Sequence, residues 1–369
     1  MIKKQSSINR NLFKLWEIGR QPLFATIFGL LIGGIVIVIS GQNPIPVFIN
    51  MFDKSFIRPY YLLQTLTRSS PIIICGIATA IAWRGGYINI GVEGQMIVGG
   101  FIATVCAIYM PGPPILVLIV SIIAGMIGAA LYALIAAILF VKYNVSLVIT
   151  TLMMNYIASY ITSYFVSFPL RDLSGDGLAS QTVTIDEGIR FITFSKTSTF
   201  NIAFFMAIGI VLLFMYVSKN TVFGYESKMS GLNPHFAKYG GIKQTKTILL
   251  TMALSGAIAA LAGVAEIYGV KYRYIDGMFT TTSYAWTGLM AALIAKLHPV
   301  GILVSSIFLS GLQVGGQAIQ RSSNIPLQMS TLIQCCITLF VSVKIVFKSK
   351  ISKENLQRLR DEKDERSGV

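Results

Sequence analysis

Charge is scarce in this chain. Only 12% of its 369 residues are Asp, Glu, Lys or Arg, about half the share of an ordinary soluble domain. Cysteine is also sparse. Cys75, Cys106, Cys335 and Cys336 all fall within apolar runs, which argues against a disulfide framework and makes them small packing residues. There are two histidines, His235 and His298, each beside a proline. The sequence contains no HExxH, no paired CxxC and no GxSxG, so hydrolytic and metal chemistry have no recognisable residue set. A GxxxxGK[ST] phosphate loop is absent as well, so the chain does not bind ATP in that way. GGYINIG is glycine-rich but follows no strand of a βαβ unit, which leaves a dinucleotide reading weak.

Apolar sequence is what remains: 54% of the residues are hydrophobic. Runs of about 18 or more such residues recur, each long enough to cross a hydrocarbon core. They predict an all-α, polytopic membrane protein with about ten transmembrane segments, near 23–40, 60–83, 94–110, 115–140, 146–168, 200–217, 247–269, 281–296, 299–319 and 328–347. The first follows a basic stretch but lacks a small-residue cleavage site, so it reads as an uncleaved span. The second is expected to be broken or irregular, because Arg68, Ser69, Ser70 and Pro71 fall inside it and proline removes a helix hydrogen bond. Residues 1–22 form a cytoplasmic N-terminal segment, 23–347 the transmembrane domain, 169–199 a polar outer loop and 348–369 a charged cytoplasmic tail.

The formal net charge is +15, yet its placement argues against nucleic acid. Most of the 30 Lys and Arg fall on the side this topology makes cytoplasmic. They read as positive-inside signal and as attraction to anionic lipid heads. Both termini are then cytoplasmic, and the bilayer is the expected surroundings.

One polar stretch, 219–246, stands between the longer apolar series before it and the shorter one after it. Its lysines, Lys219, Lys228, Lys238, Lys243 and Lys246, face Glu226 alone, which places it in the cytoplasm. Asn233 is a good N-cap, and Pro234 sits at the first helical position, where its missing N–H costs nothing. Gly240-Gly241 can end this short helix in a left-handed turn, and Gly224 and Gly231 bracket the segment before it. Leu232, Phe236 and Tyr239 are apolar groups that a lone cytoplasmic loop has little reason to display together. The unit is either a docking surface for a cytoplasmic partner or a structured loop without one.

Acids in or beside a membrane are costly and mark candidate sites. Glu93 stands either in the first turn of the third span, where the helix dipole favours an anion, or on a substrate path. Glu266, beside Lys271 and Arg273, fits an interfacial salt bridge or a translocation role equally well. Thr151, Asn155, Ser159 and Thr162 recur at helical spacing as one polar stripe, with Asn155 either gluing helices or lining a path. Arg68 can pair with a carboxylate or snorkel to the outer surface.

Several stretches together resemble a known family. TLTRSSPIIICGIATAIAWRGGYINIGVEGQ, at 65–95, is similar to the segment of ABC-importer permeases of the branched-chain amino acid/ribose superfamily that ends in NIGxEGQ. TTLMMNYIA, at 150–158, resembles that family's TxMLNYIA stretch, and TVFGYESKMSGLNPHFAKYGGI resembles its cytoplasmic coupling loop. The match runs in order over about 60 to 347. It departs at Leu147, where the family often carries an acid.

The resemblance implies a non-enzymatic permease subunit, nearest to nucleoside permeases that work with basic-membrane-protein-type lipoproteins. Simple-sugar and riboflavin ABC permeases remain alternatives, as does an ion-coupled secondary transporter. It also implies a separate ATPase subunit carrying ATP and Mg, a second permease subunit as homo- or heterodimer, and an extracellular substrate-binding lipoprotein. No cofactor or metal is expected on this chain. The substrate-pathway candidates are Asn89, Glu93, Gln95, Thr151, Asn155 and Glu266. The ATPase-coupling candidates are Gly224, Gly231, Leu232, Asn233, Pro234, Phe236, Tyr239 and Gly240.

Overall fold

A computed structural model describes residues 27–320 except 36, 40, 175–178 and 196, together with 328, 331–333, 335 and 336. The architecture is helical. In order, the helices are α1 (Ile27–Ile39), α2 (Pro44–Phe52), α3 (Pro59–Arg84), α4 (Val92–Tyr109), α5 (Pro114–Tyr143), α6 (Leu147–Ser167) and α7 (Ala203–Asn220). There follow α8 (Val222–Leu232), α9 (Pro234–Tyr239), α10 (Gln244–Glu266), α11 (Met278–Thr282), α12 (Tyr284–Ile294) and α13 (Pro299–Gln320). Strand-like pairing among the described residues is limited to two isolated bridges, Gln181 with Ile275 and Thr193 with Asn201.

Six of these helices are long and apolar enough to cross a membrane: α3, α4, α5, α7, α13, and α10 with the π-helical turn that extends it to Lys271. The expected count of ten is not reached among the described residues, for separable reasons. The expected first span, 23–40, is represented by α1 alone, which is too short to count, and the expected last span, 328–347, lies mostly outside the described residues; the segments 1–22 and 348–369 lie wholly outside them. The sixth helix, α6, has 21 residues and so a length of about 31 Å, but its Thr, Ser and Asn stripe lowers its mean hydropathy. The expected segment 281–296 is not one helix: α11 has five residues and α12 eleven, with Ser283 between them at φ 52°.

The sequence expectation of a broken second segment is corrected. α3 runs unbroken through Pro71 and is buried over most of its length. Proline deletes one amide donor, but α7, α10, α12 and α13 pack around this helix and hold its course. The hydroxyls that looked disruptive turn back onto their own helix. Ser69 and Ser70 both donate to the Leu66 carbonyl, at 2.8 and 3.1 Å, and Thr67 donates to Leu63 at 2.8 Å.

On the far side of α10 from α3, the helices α4, α5 and α10 cross one another at close range. A Cβ on Gly256 would meet the Ala129 carbonyl at 2.5 Å, and one on Gly263 the Met96 carbonyl at 2.6 Å. Only hydrogen fits at these crossings, the small-residue packing that brings backbones together inside a membrane. The loop between α6 and α7 folds onto the chain that follows α10. Thr182, Ile185 and Phe191 donate amides to the carbonyls of Tyr274, Tyr272 and Tyr268 at 2.8–2.9 Å. An Arg273–Asp172 ion pair at 3.9 Å adds to this seam. Asp172 is held below the usual carboxylate range by hydrogen bonds from the Ser174 hydroxyl and amide, with Arg273 adding a smaller effect.

Candidate functional site

The chain between α3 and α4 turns back alongside α3, and side chains from three helices cover its irregular backbone. Trp83 donates its indole N–H to the Asn89 carbonyl at 3.1 Å. The Asn89 side chain donates to Gln95 Oε1 at 3.1 Å and to Ser255 Oγ at 3.0 Å, and accepts from the Gly91 amide at 2.8 Å. Ser255 in turn donates to the Ala78 carbonyl at 2.8 Å. Irregular backbone at membrane depth needs such internal partners, because lipid offers none. Asn89 and Gln95 thus sit in a buried knot joining α3, α4 and α10.

α6 supplies the other half of the cover. Thr151 Oγ1 accepts from the Ile90 amide at 3.2 Å while donating to its own helix at Leu147. Asn155 accepts from the Gly94 amide at 2.8 Å and donates to the Ile90 carbonyl at 3.1 Å. One asparagine therefore satisfies two backbone groups of a neighbouring segment.

Both intramembrane acids end on the first turn of α12. Glu93, in the first turn of α4, accepts from the Trp286 indole N–H at 2.7 Å. Glu266, at the end of α10, accepts from the Tyr284 hydroxyl at 3.1 Å. Ion pairs among the described residues include Arg58–Asp53, Arg190–Glu187 and Arg273–Asp172; neither intramembrane acid takes part in these. Both are buried, and each takes an aromatic donor, with the Thr280 side chain a further partner of Glu93.

Two cavities meet at this break. One of 210 Å³ is lined by Glu93, Asn155, Tyr156 and Thr280, and one of 410 Å³ by Arg68, Thr281, Thr287, Gln313 and Gln317. Ser283 and Trp286 belong to both walls. Gln313 donates to Thr287 Oγ1 at 3.1 Å, tying α13 to α12 at the edge of the larger cavity. Of the sequence candidates, Glu93 and Asn155 reach a cavity, whereas Asn89, Gln95, Thr151 and Glu266 are turned into interhelical contacts. Sequence reading missed Trp286, Tyr284 and Ser283. The available signal was the hydroxyl run Thr280-Thr281-Thr282-Ser283, too polar for the start of a plain span.

The cytoplasmic-type stretch is a two-helix unit. Thr221 caps α8 by accepting from the Gly224 amide at 3.1 Å. Asn233 caps α9 by accepting from the Phe236 amide at 3.0 Å, with Pro234 at the first helical position. The left-handed residue at the end of α9 is Gly241, at φ 82°, rather than Gly240. Gly231 lets α8 lie directly on the end of α3, where a Cβ would strike the Arg84 carbonyl and the Gly86 amide. Gly224 plays the same part against Val217 and Ser218 of α7. Arg84 completes the joint by donating to Ser218 Oγ at 2.6 Å and lying 5.4 Å from the Phe214 ring centre. His298, near this joint, is held below its ordinary value by burial, with the charges of Arg84 and Lys219 adding to the effect.

The outward side of this unit is apolar and basic. Leu232, Phe236 and Tyr239 are 71%, 63% and 92% exposed. Next to them, Lys238, Lys243 and Lys246 rim an open groove of about 830 Å³ floored by Ile242, Leu249 and Leu250.

A helical bundle with membrane-length apolar helices and polar cavities at a helix break is consistent with a membrane transport component. Residues 61–342 match the family "Branched-chain amino acid transport system / permease component", and the chain belongs to that family. It is 29% identical to the nucleoside ABC transporter permease protein NupB of Lactococcus lactis, over 90% of this chain and 93% of that protein. It is also 29% identical to the guanosine ABC transporter permease protein NupP of Bacillus subtilis, over 90% and 95%. The glucose ABC transporter permease protein TsgB13 of Haloferax volcanii is 25% identical, over 90% and 89%. The chain is accordingly a multi-pass membrane permease component of the ABC type, as its resemblance over 60 to 347 implied.

Proposed function

We propose that this permease carries nucleosides inward as one half of an ATP-driven importer. The observation that carries the reading is the pair of cavities at the Ser283 break. They offer a carboxylate, amides, hydroxyls and an arginine around one indole ring, a lining suited to an aromatic base bearing a polyhydroxyl sugar. The nucleoside and guanosine names of two relatives point the same way.

The α8–α9 face is the surface for a separate ATPase, which would hold ATP and Mg. Exposed aromatics there supply contact energy and the lysine-rimmed groove steers an acidic rim. ATP-driven movement of this unit would reach the cavities through Gly231, the end of α3 and the 85–95 segment, ending at Glu93 and Trp286. A second permease subunit would close the open side of the cavities near Tyr156, and an extracellular lipoprotein would deliver substrate. Both termini and the α8–α9 unit would be cytoplasmic, in keeping with the placement of basic residues.

The test is uptake of labelled guanosine in a deletion strain carrying the complete transporter on a plasmid. Excess unlabelled guanosine should suppress uptake of the label, and excess glucose or riboflavin should leave it within about twofold of control. Suppression by glucose, or by riboflavin, with nucleosides inert would replace the nucleoside reading with that of a sugar or flavin permease.

A further inference from the structure

We propose that Glu93 reads the base of the transported nucleoside, selecting the paired N1–H and N2–H donors of guanine while Trp286 offers its ring as the stacking wall. This rests on the nucleoside reading above and adds to it a chemical preference and a residue responsible for it.

Glu93 is buried inside the bundle and forms no ion pair among the described residues. An ionised carboxylate is acceptor-only, with room for about four hydrogen bonds on its two oxygens. The Trp286 indole N–H uses one of these, at 2.7 Å on Oε2. The Thr280 side chain, at the wall of the 210 Å³ cavity, is a second hydrogen-bond partner of the same carboxylate, which leaves about two acceptor positions. The remaining acceptor capacity belongs to a group that also lines this cavity, and it suits a ligand with donors and no competing acceptor.

Nucleobases differ sharply on that criterion. Guanine presents two adjacent N–H donors, a fork that fits a carboxylate as guanidinium does. Adenine sets an acceptor nitrogen beside its amino group, cytosine does the same, and uracil flanks its single N–H with two carbonyls. Each of these brings a lone pair against the carboxylate, and burial magnifies that penalty. Trp286 belongs to both cavity walls, so a base stacked on it would keep its donor edge toward Glu93. The sugar would then lie toward the hydroxyls and amides of Thr281, Thr287, Gln313 and Gln317.

The experiment compares guanosine with 1-methylguanosine, which lacks the N1 donor, in cells expressing the whole transporter. Rates at low substrate are divided by the amount of permease in the membrane. The lipoprotein is the same in every strain, so its own preference cancels in the ratio of variant to wild type. Glu93→Gln keeps the shape and an oxygen for Trp286, but puts a donor where the base needs an acceptor. It should lower guanosine uptake by roughly 10- to 100-fold and change 1-methylguanosine uptake by less than about threefold. Glu93→Asp, which keeps the charge, should retain the preference for guanosine with a smaller loss.

Equal loss for the two nucleosides in both variants would make Glu93 a purely structural partner of Trp286 and overturn the proposal. No change in either nucleoside would overturn it too. Wild-type cells that take up no nucleoside would defeat the functional reading itself, a result distinct from either of these.

Discussion

Replacing Gly231 by valine should cut coupled uptake by roughly tenfold or more while leaving the permease in the membrane. The reason is backbone contact. A side chain at this position would meet the Arg84 carbonyl and the Gly86 amide, and neither can swing aside as a side-chain tip can. Overpacking of this kind costs about 1–3 kcal/mol, and the cheapest relief is for α8 to lift off the end of α3. The bundle itself is held elsewhere, by α3, α4, α5 and α10, so its fold survives. Lifting α8 separates the unit proposed to meet the ATPase from the segment that runs on to Glu93. The measurement is uptake beside ATP hydrolysis in purified complex. Hydrolysis should persist and lose its stimulation by loaded lipoprotein. Full stimulation and full uptake in Gly231→Val would show that the α8–α3 joint transmits nothing.

Asn155→Leu should have the other large effect, on stability more than on kinetics. The side chain accepts from the Gly94 amide at 2.8 Å and donates to the Ile90 carbonyl at 3.1 Å. Leucine fills similar space and leaves both backbone groups unpaired at membrane depth. At about 1–3 kcal/mol each, the loss is about 2–6 kcal/mol, a large share of the 5–15 kcal/mol that holds an ordinary domain together. Little folded protein should reach the membrane, and what is extracted should melt well below wild type. Asn155→Asp keeps the acceptor for Gly94 and should fall between the two. A leucine variant that melts with wild type yet transports poorly would move Asn155 from the scaffold to the substrate path.

These two residues illustrate what the sequence makes legible. Gly231 and Asn155 both stood out from it, one as a glycine beside a short helix and one as an amide in an apolar span. The contacts that give them their weight join residues 61 to 147 positions apart, and no local pattern announces those. Asn233 was legible as a cap because capping is local: residue type and the following proline suffice. Pro71 misled for the converse reason. Its local rule predicts a break, but packing on all sides of α3 overrides it. The actual break at Ser283 is marked in the sequence only by the polarity of the Thr280–Ser283 run, since a serine at positive φ is disfavoured unless its surroundings impose it. Here the surroundings are Glu93 and Glu266, which anchor Trp286 and Tyr284 on the first turn beyond the break. The acids were visible in the sequence, but their aromatic partners lie 193 and 18 residues away and became visible only in the fold.

The most direct test of the account is transport by the complete complex, this permease with its second subunit, ATPase and lipoprotein, reconstituted in sealed vesicles of known orientation. The account predicts that labelled guanosine accumulates only when ATP and Mg²⁺ are present on the ATPase side, and that collapsing proton and sodium gradients leaves the rate unchanged. Accumulation driven by either gradient without ATP would contradict it.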